Sequence, residues 1–242
     1  APSMIGAGAV AAVAVAATVA AAGPWSSGTP RESPRPEVAA ATLRGEIVAV
    51  GGFLASAGNS RLVDGYSTAS DSWRRLPDFP VSVDHAAAAS WRGRLVVAGG
   101  YGADRRPLQA AFLFDGERWR ELPPPPEPRA AAAAAATAAG KVYVVGGRGP
   151  QGLAREMLVL DLRTLRWTRL PGPSPRKHLA ATALGGVVYV LGGRLGGYDS
   201  NLTTVESYDP RTARWRRLPP LPGARGGTGA AAIAGRVVSV GG

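Results

Sequence analysis

The sequence predicts an all-β protein built as a β-propeller, with four complete four-stranded blades and part of a fifth. Two markers repeat along the chain at intervals of 46 to 49 residues. Such a fixed period indicates a single supersecondary unit that is repeated. The first marker is a glycine doublet, at Gly51-Gly52, Gly99-Gly100, Gly146-Gly147, Gly192-Gly193 and Gly241-Gly242. The second marker is a tryptophan, at Trp73, Trp119, Trp167 and Trp215.

The second strand of each unit is predicted by a short apolar run that ends at the doublet. These runs are rich in valine, which favours buried strands, and a further glycine lies six residues before every doublet. That constant offset predicts a tight hairpin turn before the strand. The runs are 46–50, 94–98, 141–145, 187–191 and 236–240, and the turn glycines are Gly45, Gly93, Gly140, Gly186 and Gly235.

The remaining strands are predicted by the turn signals around the tryptophan. Asp209-Pro210 is typical of a turn that follows a third strand, and Trp215 then opens a fourth strand that ends at Leu218-Pro219. The alanine run 130–136 has a high helix propensity. Its position before Gly140 instead predicts the innermost strand of a blade, where neighbouring blades converge and leave room only for small side chains.

These features resemble the kelch-repeat family. Its blade carries a diglycine, then a Tyr-Asp-like pair, then a tryptophan six residues after the second residue of the pair. Tyr208-Asp209 with Trp215 and Leu160-Asp161 with Trp167 follow this arrangement, whereas Ser67 replaces the Asp in the first unit. The resemblance extends from about residue 36 to residue 242 and implies a propeller fold. It implies little about function, because one fold can carry many functions.

The predicted organisation has three parts. Residues 1–22 resemble an export signal peptide or a membrane anchor, and residues 23–37 are predicted to form a Pro/Ser-rich linker. Residues 38–242 form the propeller, with repeats at about 38–82, 83–128, 129–175 and 176–222 and a partial one at 223–242. We expect this to be a fragment of a six- or seven-bladed ring. The apolar leader and the absence of cysteine predict an exported bacterial protein, periplasmic, extracellular or at the cell surface.

The formal net charge of +11 does not predict nucleic-acid binding. Of the 28 basic residues 26 are arginine, and many of these fall on the fourth, outermost strand of each blade. They are predicted to form a belt around the rim rather than one patch, and a solvated rim is the simplest interpretation. The belt comprises Arg74, Arg75, Arg120, Arg169, Arg216 and Arg217.

A ligand-binding site is predicted on the face where the longer loops emerge, at the mouth of the central channel. The candidates are Asp84, His85, Arg129, Arg176, His178 and Arg225. The kelch resemblance implies that the arginines hold carboxylates of a ligand, with an alternative role in pairing with neighbouring loops. The two histidines are each eight residues before their turn glycine, in alternate blades, and are therefore not expected to be adjacent ligands. We predict no metal and no cofactor.

The predicted function is a non-catalytic, monomeric binding scaffold for a protein or glycan ligand, with no specific nucleic-acid partner. Two enzymes that share the repeat provide the alternatives. A copper radical oxidase would need a Tyr–Cys crosslink, and because these 242 residues contain no cysteine, that crosslink would require a cysteine in a missing segment. An exported enzyme resembling sialic-acid mutarotase would need an acid/base group at the mouth, for which Arg176, His178 and Glu127 are loose candidates.

Overall fold

The computed structural model describes residues 26–56 and 58–242. The predicted signal or anchor segment, 1–22, lies outside the described residues. Within them, the only helical element is a single 3₁₀ turn at Tyr198–Ser200, and no helix is long and apolar enough to cross a membrane. The architecture is all-β, as the sequence predicts.

Four four-stranded antiparallel sheets form the complete blades, and a two-stranded sheet begins a fifth. Each complete blade follows the chain order from the inner to the outer strand. The first blade contains β1 (Ala39–Leu43), β2 (Glu46–Val50), β3 (Val63–Ser67) and β4 (Ser72–Leu76). The second contains β5 (Ala87–Trp91), β6 (Arg94–Ala98), β7 (Ala111–Phe114) and β8 (Trp119–Glu121).

The third blade carries a small extra hairpin between its second and third blade strands. It contains β9 (Ala133–Ala136), β10 (Lys141–Val145), the hairpin β11 (Arg148–Gly149) and β12 (Gly152–Leu153), then β13 (Glu156–Asp161) and β14 (Arg166–Pro171). The fourth contains β15 (Ala180–Leu184), β16 (Val187–Leu191), β17 (Val205–Asp209) and β18 (Arg214–Leu218). The partial fifth contains β19 (Gly229–Ile233) and β20 (Arg236–Val240). The alanine run therefore forms an inner strand, as its position predicts.

The hydrophobic core lies between the blades rather than within any one of them. One cluster joins the first two blades through residues such as Val48 and Phe114, and the next joins the second and third through Val96 and Leu158. Two further clusters continue this pattern to the fifth blade. Each blade therefore depends on its neighbours to bury its apolar faces, as in other repeat architectures.

The glycine doublets hold adjacent blades close together. Both glycines of each doublet have positive φ, and in the first four doublets the N–H of the second glycine donates to a backbone carbonyl of the next blade. At Gly146, a Cβ atom would lie 2.7 Å from the carbonyl oxygen of Arg176, and the N–H of Gly147 donates to that oxygen at 2.8 Å. Only glycine combines this conformation with this close approach, which explains why the doublet recurs.

The tryptophans join the blades at their outer edges. The indole Nε1 of Trp119, Trp167 and Trp215 donates to the carbonyl oxygen of Pro77, Pro123 and Pro171, respectively, at 2.8–3.0 Å. Each acceptor lies at the end of the fourth strand of the preceding blade or just after it. In the first blade, Trp73 donates instead to the carbonyl of Thr29 at 2.8 Å, so this part of the predicted linker packs against the propeller.

Candidate functional site

A ring of five residues surrounds the channel mouth where the inner strands begin. All five adopt left-handed backbone conformations with φ between 52° and 77°. In the second to fifth blades, the backbone N–H of the ring residue donates to the carbonyl of the ring residue in the preceding blade at 2.7–3.0 Å. The ring residues, in blade order, are Glu37, His85, Ala131, His178 and Gly227.

Three members of this ring carry polar side chains, and these side chains meet over the channel. The Nε2 atom of His85 lies 3.2 Å from a carboxylate oxygen of Glu37. The rings of His85 and His178 cross at 88° with centroids 4.9 Å apart. We call Glu37, His85 and His178 the mouth triad. The expectation that the two histidines are not adjacent is therefore wrong, because the ring is narrow enough for side chains from alternate blades to touch.

The two histidines have opposite electrostatic environments. Burial would lower the pKa of His85, but hydrogen bonds to Asp84 and Glu37 outweigh it and raise that pKa above its ordinary value. The hydrogen bond to His85 in turn lowers the pKa of Glu37. Burial, together with the positive charge of Arg194, lowers the pKa of His178 to about 4. At neutral pH His178 is therefore an uncharged imidazole, whereas the surroundings of His85 stabilise its protonated form relative to a free imidazole.

Asp84 positions His85 from the side away from the mouth. Its carboxylate is 1% exposed and accepts a hydrogen bond from Nδ1 of His85 through one oxygen. The other oxygen accepts from Arg105 at 2.6 Å. Asp84 is thus a predicted site residue that the structure places behind the mouth triad, without direct access to a ligand.

Above the mouth triad, the loops enclose a cavity of about 360 Å³, which we call the mouth cavity. Its walls carry three cationic groups and three aromatic rings in addition to the triad. The guanidinium of Arg105 lies 5.0 Å from the ring of Phe53 and 5.1 Å from that of Tyr101. The added wall residues are Phe53, Tyr101, Arg105, Lys177, Arg194 and Tyr198, with Gly196 and Gly197. Below the triad a channel cavity of about 410 Å³ is lined mainly by alanines of the inner strands.

Arg194 is the wall residue with the least satisfied charge. It is 5% exposed, its guanidinium lies 4.3 Å from the ring centroid of Tyr198, and its buried Nε atom has no hydrogen-bond partner. Among the residues that the structure describes, neither Arg194 nor Lys177 forms an ion pair with a carboxylate. The mouth cavity therefore combines a positive charge with an apolar, aromatic wall.

The three predicted arginines are bonded within the protein rather than presented to the mouth cavity. Arg176 is fully buried, donates to the carbonyls of Gly192 and Ser174 at 2.6 and 2.8 Å, and pairs with Glu206. Arg129 is 2% exposed, donates to the carbonyls of Gly146 and Glu156 at 2.9 Å, and pairs with Glu127.

Arg225, in the partial blade, repeats the same contact with its own doublet. It is half-buried and donates to the carbonyl of Gly241 at 2.6 Å. These contacts match the alternative role that sequence analysis gave the arginines, pairing with neighbouring loops. Glu127, a loose acid/base candidate, is held by Arg129 away from the mouth triad.

Glu37 is a site residue that sequence analysis assigned to the linker. Arg35 and Glu37 occupy the positions that Arg176 and His178 occupy in the fourth blade: Arg35 donates to the carbonyl of Gly51 at 2.7 Å and pairs with Asp64 at 2.6 Å. This end of the predicted linker is therefore part of the first blade. The signal was present, because Glu37 lies eight residues before Gly45, the same offset that places both histidines. Arg194 directly follows the fourth doublet, as Phe53 and Tyr101 follow the first two, whereas Tyr198 lies further along a loop of irregular sequence where no repeat signal marks it.

Comparison with known proteins agrees with this architecture. The family model of the KLHDC2/KLHL20/DRC7 kelch-repeats domain matches residues 37–242. Kelch-like protein terF of Aspergillus terreus is 29% identical over 231 residues, which cover 87% of this chain and 50% of that protein. Kelch-like protein 35 of Mus musculus is 29% identical, covering 86% of this chain and 35% of that one. The chain thus spans half or less of these relatives.

A solved structure described as "Structure of YjhT" superposes with a TM-score of 0.72 at 17% sequence identity, covering 86% of this chain and 77% of the other. At this identity the likeness concerns the fold alone. The family model, by contrast, spans the blades, the doublets and the mouth triad together. The chain therefore belongs to the kelch-repeat family.

Proposed function

We propose that this propeller is a non-catalytic binding module that recognises an acidic segment of a protein ligand in the mouth cavity. The observation that carries the proposal is Arg194, a buried cation that lines the cavity without a carboxylate partner among the described residues. Burying an unpaired charge is costly, and an incoming carboxylate would offset that cost.

The contrast with the other buried arginines supports this interpretation. Arg35, Arg129 and Arg176 each pair with a carboxylate of the protein. Arg194 has comparable burial, yet its contact is the face of Tyr198. The arginines that stabilise the fold are therefore paired with carboxylates, whereas Arg194 at the mouth remains available for a ligand.

The aromatic wall fits a peptide better than a small ion. Tyr198 is 81% exposed, and Phe53 and Tyr101 line the opposite side of the cavity. Rigid aromatic rings beside arginines are typical of protein-binding surfaces, because they supply contact area at a low cost in conformational entropy. A segment carrying one carboxylate flanked by apolar residues would satisfy both parts of the wall.

The relatives are kelch-like proteins two or more times longer than the matched region, so their full activities are not transferable to this chain. We propose that the protein acts as a monomer and, following its apolar leader, outside the cytoplasm. A glycan ligand is the alternative within the same proposal, since an acidic sugar offers the same carboxylate.

A second candidate function is turnover of an acidic sugar. It is favoured by one observation: an uncharged imidazole, His178, stands beside a carboxylate, Glu37, at the floor of a cavity with cationic walls. Such a pair can transfer a proton to and from a bound substrate. Arg194 would hold the substrate carboxylate in this function also, so the two candidates differ in turnover and not in where the ligand binds.

The test is selection of a random displayed peptide library on the purified protein, followed by titration of the selected peptides. We expect acidic sequences, and at least about 10-fold weaker binding for Arg194→Ala, which corresponds to about 1.4 kcal/mol. The matched control is Arg217→Ala on the exposed outer strand of the fourth blade, which should leave affinity unchanged. Equal affinity for wild type and Arg194→Ala would refute the proposed site, and conversion of a free acidic sugar that depends on His178 would favour the second function.

A further inference from the structure

Beyond binding of an acidic ligand, we infer that the mouth triad is a binding site for a divalent first-row transition-metal ion, with Zn²⁺ as the simplest occupant. Glu37, His85 and His178 each offer one ligand atom, and these atoms lie within 4.8 Å of one another. The inference does not need the proposed peptide, because the triad itself supplies the ligands.

The donor set favours a transition metal over calcium or magnesium. Two imidazoles and one carboxylate suit zinc, iron, nickel or copper, whereas calcium and magnesium prefer oxygen ligands alone. Metal–ligand bonds in such sites are about 2.0–2.2 Å, so modest side-chain rotations are needed to close around an ion. Three protein ligands leave a coordination position open toward the mouth cavity, as in zinc sites that bind a substrate or water.

Asp84 and Arg105 give His85 the support that metal-binding histidines usually have. The Nδ1 atom of His85 bonds to the buried carboxylate of Asp84, which Arg105 holds at 2.6 Å. This leaves Nε2 directed at Glu37, 3.2 Å away, on the side where the ion would lie. A carboxylate behind a ligating histidine fixes the orientation of the ring and increases the basicity of the nitrogen that binds the metal.

His178 contributes a buried ring nitrogen without a hydrogen-bond partner. Its Nδ1 atom is inaccessible to solvent and unbonded among the described residues. Buried polar atoms are rarely left unsatisfied, so this orphaned atom points to a partner that is not part of the protein. The backbone ring that joins Glu37, His85, Ala131 and His178 holds the ligands on rigid strand ends, which is favourable for a preformed site.

Two groups oppose binding of a bare cation. Arg194 and Lys177 line the same cavity, and Glu37 offsets their positive charges only in part, because the charge of Asp84 is paired with Arg105. An anion at the open coordination position would contact both the ion and these cations. We therefore expect moderate affinity for the metal alone and stronger binding when acetate is added as a simple carboxylate.

The test is calorimetric titration of ZnCl₂ into chelator-treated protein that carries no histidine tag. The chain has only two histidines and no cysteine, so nitrogen ligation must involve the triad. We expect saturable binding of about one ion, weakened roughly 100-fold or more by His85→Ala or His178→Ala and about 10- to 100-fold by Asp84→Asn. Glu37→Gln should also weaken Zn²⁺ binding. The matched control is Glu121→Gln on the exposed outer strand of the second blade, which should leave Zn²⁺ binding unchanged.

A measurement on the wild-type protein guards against variants that fail to fold. Zn²⁺ should shift the NMR resonances of both histidine rings and should raise the melting temperature, because a ligand that binds only the folded state stabilises it. Absence of saturable Zn²⁺ binding, or binding that leaves both rings unchanged, would overturn the inference. Because the metal titration contains no peptide, a failure to bind Zn²⁺ would not contradict the proposed binding of an acidic ligand. Conversely, a failure to bind acidic peptides would not contradict the metal site.

Discussion

Arg176 and His178 are two residues apart at the same end of the same blade, yet they face different environments. Arg176 is fully buried and bonds to Gly192 and Glu206 of its own blade and to Ser174, two residues before it in the chain. His178 reaches across the channel mouth to His85, two blades away. The Arg176 side chain therefore stabilises the local structure of one repeat, whereas His178 belongs to a site that requires residues from several repeats.

The positions equivalent to Arg176 and His178 in the other blades show that the first is nearly constant and the second is variable. The arginine position recurs as Arg35, Arg129 and Arg225, and only the second blade replaces it, with Val83. The position two residues later varies from Glu37 to His85, Ala131, His178 and Gly227. Residues that repeat with the period serve the fold, and residues that break the period are the better candidates for function.

The largest effect should come from removing a repeated arginine. Arg176→Ala leaves the carboxylate of Glu206 buried without its partner, and breaking a buried pair in this way costs about 3–5 kcal/mol. His178→Ala should change the free energy of unfolding by less than about 1 kcal/mol, because its side chain has no partner to lose. Denaturant unfolding of both variants makes the comparison, and equal losses would contradict the division of roles.

The second effect separates backbone strain from close packing at the doublet. Gly147 and Gly152 both have positive φ, so alanine at either position is strained by about 1–3 kcal/mol. A Cβ at Gly147 would also meet the carbonyl of Ala130 at 2.5 Å, whereas nothing lies near Gly152. Gly147→Ala should therefore be clearly less stable than Gly152→Ala in thermal unfolding. Similar melting temperatures would mean that close approach does not explain the doublet.

A smaller effect tests the tryptophans that recur with the period. Trp167→Phe loses the hydrogen bond to the carbonyl of Pro123 and should destabilise the protein by about 0.5–1.5 kcal/mol. The matched control is Trp91, outside the repeated series, whose buried indole nitrogen has no partner. Trp91→Phe should cost less, because it removes an unsatisfied donor. The two unfolding curves decide whether the repeated indoles bond the blades together.

The smallest effect concerns the pH dependence of stability. The pKa of His178 in the folded protein, about 4, lies below its ordinary value of 6.5, so the unfolded chain takes up the proton first as the pH falls. Its contribution to stability is present above pH 6.5 and is lost progressively down to about pH 4. Replacement by His178→Asn should reduce this acid-side loss in metal-free protein. An NMR titration that finds the pKa of His178 above that of His85 would contradict the electrostatic assignment.

The sequence was sufficient for the fold because the fold is periodic. Glycine doublets and turn glycines mark every blade, tryptophans mark the four complete ones, and the strands lie where those markers predict. At the site, the kelch resemblance made Arg129 and Arg176 look like ligand groups, and positions in alternate blades made His85 and His178 look separate. Contact across the channel depends on its width, which no spacing along the chain encodes. Arg194 occupies a recurring position directly after a doublet, but that position does not reveal its burial or its lack of a carboxylate partner among the described residues. Tyr198 lies in a loop that belongs to one blade only.

The central claim is that ligands bind at the channel mouth, above residues that break the repeat. The most direct test is to follow the ring resonances of the only two histidines while a selected acidic peptide is titrated into the wild-type protein. Saturable shifts of His85 and His178 at the concentrations that give calorimetric binding are the predicted result. Saturable peptide binding that leaves both rings unshifted would contradict the claim and place the ligand elsewhere on the propeller.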